Sequence, residues 1–157
     1  MSKLQDKVVI ITGGAGGIGM AVCRLLGSFG AKIVITDINQ SSIDAGLAEL
    51  SDLKIDAVGY ICDASKEDEV ISLYKKIVQD VGVPDILVNN AASGIHVPPQ
   101  NTSLAEWSAV IGTSLTGYFL NAREFALAVL AATALPLRGR SGVVVPRTLW
   151  RRGMAPA

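Results

Sequence analysis

The sequence is poor in the residues from which metal sites and disulfides are built, with one histidine and two cysteines in 157 residues. Cys23 and Cys62 lack the partner spacing of a zinc site, so we expect both to be buried, reduced and free of metal. The formal net charge of zero argues against nucleic acid as a partner. No apolar run approaches the roughly 18 residues of a membrane span, and the first residues lack the layout of a signal peptide. These absences predict a cytoplasmic domain without membrane contact.

Glycine, in contrast, is frequent and is concentrated near the start of the chain. An apolar run at residues 8–11 is typical of a buried parallel strand, and it is followed by Thr12-Gly13-Gly14-Ala15-Gly16-Gly17-Ile18-Gly19. From Ile18 onward, apolar residues recur at helical spacing. Such a turn lets the backbone approach a pyrophosphate, and the following helix N-terminus offers unpaired N–H groups. The pattern predicts a dinucleotide site. The alternative is a glycine-rich turn without a ligand.

An aspartate follows the glycine turn at the distance expected for a ribose contact. Asp37 ends the second apolar run and lies 18 residues beyond Gly19. Its carboxylate can accept hydrogen bonds from the adenosine ribose hydroxyls of NAD, and it would repel the 2′-phosphate of NADP. The turn also offers no basic side chain at Gly16, so NAD is predicted as the cofactor and NADP is disfavoured. The alternative is a loop aspartate that caps the next helix.

Strands alternate with helix-length segments along residues 1–131. This alternation is typical of parallel βαβ units with right-handed crossovers. It predicts an α/β fold with a doubly wound, Rossmann-type parallel sheet and helices on both faces. Ser65 and a capping box at Ser103 and Glu106 are expected to start two of the helices. The predicted strands are 7–12, 32–37, 56–61 and 86–89, and the predicted helices are 17–30, 40–53, 65–81 and 103–131.

With these elements placed, residues 1–131 closely resemble the cofactor-binding portion of the short-chain dehydrogenase/reductase family. The glycine turn matches the family's Thr-Gly-x-x-x-Gly-x-Gly segment, and Asn89-Asn90-Ala91 matches its Asn-Asn-Ala-Gly segment, with Ala92 replacing the glycine. Asp63 stands where the family has an aspartate that contacts the adenine ring. The resemblance implies that NAD is bound by Gly13, Gly16, Gly17, Ile18, Gly19, Asp37, Asp63, Ala64, Asn90 and Ala91.

The resemblance also implies a reaction, hydride transfer between nicotinamide and an alcohol or carbonyl carbon of a small-molecule substrate. In the family a tyrosine moves the proton, and a lysine four residues later lowers the pKa of that tyrosine. This chain has no such pair, because no lysine follows Lys76 and tyrosines occur only at 60, 74 and 118. The family's helix asparagine aligns with Ser114, so no catalytic residue is assigned. Tyr118 is interpreted as a packing or interface residue.

Residues 132–157 differ in composition from the rest of the chain. From residue 133 onward there is no acidic residue and no lysine, but there are five arginines. Residues 142–145 are the one candidate for a fifth strand, and the family's catalytic helix does not follow it. We interpret this segment as a shifted reading frame or an alternative end, which makes the fold truncated at its C-terminus. A weak phosphate-binding patch is the alternative.

Two hypotheses on function follow from these observations. The first is an NAD-dependent oxidoreductase of the short-chain dehydrogenase/reductase type whose catalytic residues are missing from this chain. The second is a non-catalytic dinucleotide-binding fragment or partner subunit. Pairing with a second copy through the helix at 103–131 is expected from the family resemblance. His96 is interpreted as a surface residue, with a substrate contact as the alternative, and Trp107 is expected to pack the long helix against the sheet.

Overall fold

A computed structural model describes residues 3–95 and 97–133 of the chain. Within these residues the strands are β1 (Val8–Thr12), β2 (Lys32–Asp37), β3 (Ala57–Ile61) and β4 (Ile86–Val88). They form one parallel sheet in the order β3-β2-β1-β4. Because the strands run in the same direction, their carboxyl ends lie along one edge of the sheet. This topology confirms the predicted Rossmann-type arrangement.

The two central strands form the most buried part of the sheet. All five residues of β1 are buried, and so are the four inner residues of β2. Val8 pairs with Lys32 at the start of this ladder, and Thr12 pairs with Thr36 at its end. A run of β-branched apolar residues suits a strand that is covered on both faces, because both sets of alternating side chains then leave water. The prediction of a buried parallel strand at this position is confirmed.

Helices cover both faces of the sheet, as predicted. One layer packs on Ile11 and Ile35, and the other packs on Ile10 and Val34, so alternate side chains of β1 and β2 enter opposite cores. The first layer contains α1 and α2, and the second contains α3 and α5. In the described ranges the helices are α1 (Gly17–Ser28), α2 (Gln40–Asp52), α3 (Glu67–Asp80), α4 (Leu104–Ile111) and α5 (Gly117–Thr133), with a π-helical segment at Gly112–Thr116 between the last two.

The helix ends follow local rules, with one exception at α3. Ser103 and Glu106 form the predicted capping box, with the Ser103 N–H donating to the Glu106 carboxylate at 2.8 Å. Gly30 follows the end of α1 with a φ of 86°, the left-handed conformation in which glycine commonly terminates a helix. The prediction that Ser65 caps α3 is wrong. The cap position is Lys66, which supplies no side-chain hydrogen bond, at a cost of roughly 1 kcal/mol relative to a serine cap.

The buried face of α1 consists mainly of small residues. Gly19, Met20 and Cys23 are buried, whereas Ile18 and Leu25 remain 77% and 55% exposed. Glycine and cysteine at the contact let the helix axis lie close to β1 and β2. The apolar spacing that begins at Ile18 therefore identifies the helix correctly, but only some of its members, such as Val22 and Leu26, pack against the core.

The segment from α4 to α5 is less buried than expected. Trp107 is 56% exposed and lines an open apolar groove together with Ile95 and Val97. The prediction that Trp107 packs against the sheet is wrong, because α4 buries none of its eight residues. Along α5 only Gly117, Leu120 and Asn121 are buried. Across the described part of the chain, no helix combines the length and apolarity that a membrane crossing requires.

Candidate cofactor site

The carboxyl ends of the strands bring the predicted site residues to one edge of the sheet. The glycine turn follows β1, Asp37 ends β2, Asp63 follows β3 and Asn90 follows β4. Because β1 pairs with both β2 and β4, the glycine turn lies between Asp37 and Asn90. Gly13 and Asn90 are 77 residues apart in sequence, yet they form a direct hydrogen bond. The fold thus places segments that are distant in sequence next to each other at one edge of the sheet.

Two glycines are required by the shape of the turn itself. Gly13 has a φ of 61°, and a Cβ there would lie 2.8 Å from the Ala91 Cα. A Cβ on Gly19 would overlap the Gly13 carbonyl oxygen and lie 2.7 Å from the Gly14 Cα. Both contacts are with backbone, which cannot move aside as a flexible side chain can. Side chains at Gly13 and Gly19 are therefore excluded by the protein, whether or not a ligand is bound.

Gly16 and Gly17 are in the opposite situation. A Cβ on Gly17 would meet no protein atom within 4 Å, and one on Gly16 would meet only the Gly13 oxygen, at 3.4 Å. Nothing in the packing of the described residues explains why these two positions lack side chains. The open space in front of them would be narrowed by any side chain. This is the arrangement expected where a phosphate group must come close to the backbone.

The first turn of α1 presents unpaired N–H groups to this space. Gly16 is the cap residue and provides no side-chain hydrogen bond, and the first turn contains no acidic residue. The first intrahelical bond runs from the Met20 N–H to the Gly16 oxygen at 2.7 Å. Among the described residues, the N–H groups of Gly17, Ile18 and Gly19 have no acceptor. These donors and the positive end of the helix dipole fit an anion such as pyrophosphate.

A buried threonine connects the glycine turn to the loop after β4. The Thr12 Oγ1 accepts hydrogen bonds from the N–H groups of Asn90 and Ala91, each at 3.0 Å. In return, the Asn90 Nδ2 donates to the carbonyl oxygens of Thr12 and Gly13, also at 3.0 Å. The side chain of Asn90 thus holds the turn in shape. Sequence reasoning included Thr12 in the motif but missed this role, for which its position at the strand end was the available signal.

Asp37 has one carboxylate oxygen in use and one free. Its Oδ1 accepts from the N–H of Asn39 at 3.2 Å, and within residues 3–95 and 97–133 its Oδ2 accepts no hydrogen bond. The cap of α2 is Asn39, whose side chain accepts from the Ser42 N–H at 3.1 Å. The alternative role considered for Asp37, capping the next helix, is therefore performed by Asn39. Asp37 remains able to accept hydrogen bonds from a ligand.

Asp63 is held by the residues that follow it. Its Oδ1 accepts from both the N–H and the Oγ of Ser65, at 2.9 Å and 2.7 Å. Its own N–H donates to the Glu69 carboxylate at 2.7 Å. In the part of the chain that the structure describes, the Asp63 Oδ2 and the Ala64 N–H have no partner. Sequence reasoning assigned Asp63 and Ala64 but missed Ser65 and Glu69. The signal was the serine two residues after an aspartate, a spacing typical of turns closed by side chains.

Ser114, aligned with the family's asparagine, lies in the π-helical segment and is half-buried. Within the described residues, its hydroxyl makes no hydrogen bond. A single π-helical turn inside an α-helix is often found at functional sites. Serine is shorter than asparagine, so Ser114 does not reproduce that amide. One helical turn after Ser114, the helix contacts the loop that contains Asp63 and Ala64. The contact is close at Gly117, where an added Cβ would lie 2.9 Å from the Ala64 carbonyl oxygen.

Neither Tyr60 nor Tyr74 has the environment of a proton donor that works near neutral pH. Burial raises the pKa of Tyr74, with smaller contributions from Cys62 and Glu124. Burial and the neighbouring Asp80 carboxylate raise the pKa of Tyr60. A catalytic phenol needs the opposite shift, which a nearby cation would provide. The sequence contains no lysine four residues beyond any tyrosine.

The cysteines are buried, as predicted, and they do not form a disulfide with each other. Burial raises the pKa of the Cys23 and Cys62 thiols to about 12 in each case. A thiol that stays protonated is a poor nucleophile and a poor metal ligand. No group of acidic, histidine or cysteine side chains suited to a metal occurs among the described residues. His96 and residues 134–157, including the candidate strand at 142–145, lie outside the described residues.

The fold and the turn at its edge define a Rossmann-type α/β domain. A more specific assignment comes from the sequence as a whole, because the model of the short chain dehydrogenase family matches residues 7–146. The chain therefore belongs to the short-chain dehydrogenase family. The resemblance inferred from the glycine turn, Asp63 and the Asn89-Asn90-Ala91 segment is confirmed.

Curated relatives match most of this chain. The uncharacterized oxidoreductase YuxG of Bacillus subtilis is 39% identical over 125 residues, which are 78% of this chain and 18% of that protein. The 2-dehydro-3-deoxy-D-gluconate 5-dehydrogenase of Formosa agariphila is 36% identical over 118 residues, covering 74% of this chain and 45% of that protein. The chain thus spans less than half the length of these two relatives.

Solved structures of the same family superpose closely. A metagenomic short-chain oxidoreductase in complex with NADP has a TM-score of 0.76 and 35% identity, over 82% of this chain and 59% of that one. NAD+-bound xylitol dehydrogenase has a TM-score of 0.76 and 29% identity, over 83% of this chain and 50% of that one. The two structures contain different forms of the nicotinamide cofactor, so the likeness alone does not choose between NAD and NADP.

Proposed function

We propose that this chain binds NAD(H) at the carboxyl edge of its sheet. It would form the cofactor-binding part of an NAD-dependent oxidoreductase acting on a small-molecule alcohol or carbonyl. The observation that carries the proposal is the start of α1, where unpaired N–H groups face open space at Gly16 and Gly17. A nicotinamide cofactor bound there would supply the hydride-transfer chemistry.

Each end of the adenosine half has a matching group in the protein. The pyrophosphate would accept hydrogen bonds from the first turn of α1, with the exposed side chain of Ile18 beside it. The ribose hydroxyls would donate to the free carboxylate oxygen of Asp37. The adenine edge would meet Asp63 and Ala64, which are consecutive residues with one unpartnered acceptor and one unpartnered donor among the described residues. Asn90 and Ala91 hold the turn next to which the nicotinamide ribose would lie.

The residues around Asp37 support NAD over NADP. A 2′-phosphate needs a cation, and neither Gly16 in the turn nor Ile38 after Asp37 supplies one. Asp37 forms no ion pair with any described residue, so its negative charge is not compensated. An uncompensated carboxylate at this position would repel the extra phosphate. We therefore propose NAD as the preferred cofactor.

A second candidate function is a non-catalytic dinucleotide-binding fragment or partner subunit. Its support is the absence of a Tyr-x-x-x-Lys pair from the sequence, together with the raised pKa values of Tyr60 and Tyr74. The two candidates share the cofactor site and differ in turnover. Oxidation of NADH by a panel of aldehydes and ketones, followed by absorbance, separates them, since sustained turnover eliminates the second candidate.

The cofactor proposal is tested by calorimetric titration of the 157-residue chain with NADH and, separately, with NADPH. Saturable binding of NADH, at least about tenfold tighter than binding of NADPH, is expected from a carboxylate that accepts from the ribose and repels the phosphate. Equal affinity for both cofactors would remove the proposed role of Asp37. A chain that stays folded by circular dichroism and binds neither would contradict the whole proposal.

The exposed face of the helices also supports self-association. Apolar side chains that are more than half exposed recur along the segment at 104–130, namely Leu104, Trp107, Leu115, Phe119, Leu127 and Leu130. A patch of this kind favours a protein interface, and we propose a homodimer through the 103–131 helix. Size-exclusion chromatography with light scattering tests it, and a monomer at 100-fold different loading concentrations would contradict it. The two free thiols support a reducing, cytoplasmic location.

A further inference from the structure

Ser65 uses its hydroxyl in an unexpected way. It stands near the start of α3, where a serine usually caps the helix. Its Oγ donates instead to the Asp63 Oδ1 at 2.7 Å, and its N–H donates to the same oxygen at 2.9 Å. The helix begins after Lys66, which provides no side-chain cap. The donors of Ser65 are thus committed to one carboxylate oxygen, and the helix start is left without a side-chain acceptor.

Glu69 holds the same aspartate from the other side. Its carboxylate accepts the Asp63 N–H at 2.7 Å, while the Asp63 carbonyl oxygen accepts from the Lys66 N–H at 2.9 Å. Asp63 is therefore restrained at its N–H, its carbonyl and one side-chain oxygen. Two neighbouring groups are left without a partner in the described residues, the Asp63 Oδ2 acceptor and the Ala64 N–H donor.

We propose that Ser65 and Glu69 are positioning residues that select adenine as the base of the bound dinucleotide. They hold Asp63 so that its Oδ2 accepts from the adenine 6-amino group while the Ala64 N–H donates to N1. This inference rests on the proposed function, because it concerns the base of the cofactor bound at the same site. Beyond that function, it assigns the orientation of the Asp63 carboxylate to Ser65 and Glu69, and it attributes the preference for adenine over other bases to this orientation.

Hypoxanthine provides the contrast, because it differs from adenine only at this edge. Its 6-position carries a carbonyl oxygen and its N1 carries a hydrogen. The fixed Asp63 carboxylate oxygen would then face the 6-carbonyl oxygen, and the Ala64 N–H would face the hydrogen on N1. One contact would bring together two acceptors and the other two donors. Asp63 forms no ion pair with a described lysine or arginine, so no neighbouring cation weakens this repulsion. An Asp63 free to rotate would turn its carboxylate away and lose the distinction.

The experiment compares NADH with reduced nicotinamide hypoxanthine dinucleotide, each titrated calorimetrically into the full chain. The wild-type protein is expected to bind NADH at least about tenfold more tightly. Ser65→Ala should weaken NADH binding about five- to tenfold and change binding of the hypoxanthine analogue less than about twofold. Ser65→Thr keeps the hydroxyl and should restore the preference. Glu69→Ala should lower it, while Glu69→Gln, which keeps an acceptor, should retain most of it.

Ser103→Ala is the matched control, because Ser103 is a serine at a helix start whose hydroxyl caps α4. It should lower thermal stability and leave the ratio of the two affinities unchanged. If Ser65→Ala weakens both dinucleotides equally, Ser65 has only a structural role and the inference is overturned. A wild-type chain that binds both dinucleotides equally also overturns it, while dinucleotide binding stands. A folded chain that binds neither overturns the proposed function and this inference together.

Discussion

Charged side chains are paired with each other at the amino edge of the sheet, whereas key polar groups at its carboxyl edge have no partner among the described residues. At the amino edge, Asp85 pairs with Lys7 at 2.8 Å and accepts the Val8 N–H at 2.9 Å. Lys32, the first residue of β2, forms an ion pair at 3.5 Å with Asp56, which directly precedes β3. At the carboxyl edge, no described cation pairs with Asp37 or Asp63, and the first N–H groups of α1 have no acceptor.

The difference shows which groups the fold needs for itself. The pairs at the amino edge join strands that are distant in sequence, so Lys7, Asp85, Lys32 and Asp56 are used by the fold itself. At the carboxyl edge the strongest donors and acceptors stay available, although the surrounding backbone is held rigidly by Thr12 and Asn90. A rigid frame with unpaired polar groups is the arrangement expected of a binding site. Substitutions at the two edges should therefore separate stability from binding.

Gly19→Ala is expected to have the largest effect, because it damages both properties at the carboxyl edge. The added Cβ overlaps the Gly13 carbonyl oxygen, so the turn or α1 must move. We expect a loss of about 2–4 kcal/mol in the free energy of unfolding and no measurable NADH binding. Urea unfolding and calorimetry measure the two. An alanine that stabilises the chain, as helix propensity alone would predict, contradicts the described close contact.

Gly17→Ala should separate the two properties. Its Cβ meets no protein atom within 4 Å, so the fold is expected to be unchanged or stabilised slightly, by up to about 1 kcal/mol. The methyl group narrows the space in front of α1, and NADH affinity should fall by at least about tenfold. The same urea and calorimetric measurements apply. Undiminished NADH binding by this variant would show that the phosphates do not approach α1 at Gly17.

Asp37→Asn is expected to change cofactor preference and leave the fold intact. The amide can still accept the Asn39 N–H, but it no longer repels a 2′-phosphate. The ratio of NADH to NADPH affinity should fall by about tenfold, mostly through tighter NADPH binding. Asp44→Asn, on the exposed surface of α2, is the matched control. A ratio that stays the same in both variants would place the ribose hydroxyls away from Asp37.

Asp85→Asn is expected to have the smallest effect, confined to stability. The Lys7 ammonium, followed by the Val8 N–H, holds the pKa of Asp85 below its usual range. A lowered folded-state pKa contributes stability that is present above about pH 4 and is lost as the pH falls through the folded-state value. At pH 7 the variant should lose less than about 1 kcal/mol. Its urea midpoint should fall less than that of the wild type between pH 5 and 3, with NADH affinity unchanged.

Much of the fold could be predicted from local pattern. The apolar runs at 8–12 and 32–37 are strands because both of their faces are covered, and they give a strong signal. The capping box at Ser103 was predictable because both partners lie within four residues. Trp107 was not predictable, since its exposure depends on how far α4 extends from the sheet. The π-helical segment at Gly112–Thr116 has no local sequence signal comparable to a cap or a turn.

The role of a site residue could be predicted where it depends on the residue type alone, as for a glycine in a tight turn. It could not be predicted where it depends on which residue the side chain hydrogen-bonds. A tight turn that requires glycine was predicted from the sequence, and the contacts of an added Cβ at Gly13 and Gly19 give the physical reason. Ser65 was assigned to the wrong partner, because a serine near a helix start has two acceptable uses and sequence statistics favour capping. The use that the structure adopts depends on Asp63, which needs both donors of Ser65.

The hydrogen bonds between Thr12 and Asn90 also determine when the site can form. The glycine turn consists of consecutive residues, yet the donors that hold it come from 77 and 78 positions further along the chain. During synthesis, the turn therefore lacks these bonds until β4 has emerged and paired with β1. Closing a loop of that length is slow relative to forming α1 locally. The glycine turn, although it is synthesised early, thus reaches its binding conformation late. Cofactor binding by the nascent chain would therefore indicate that β4 has paired with β1.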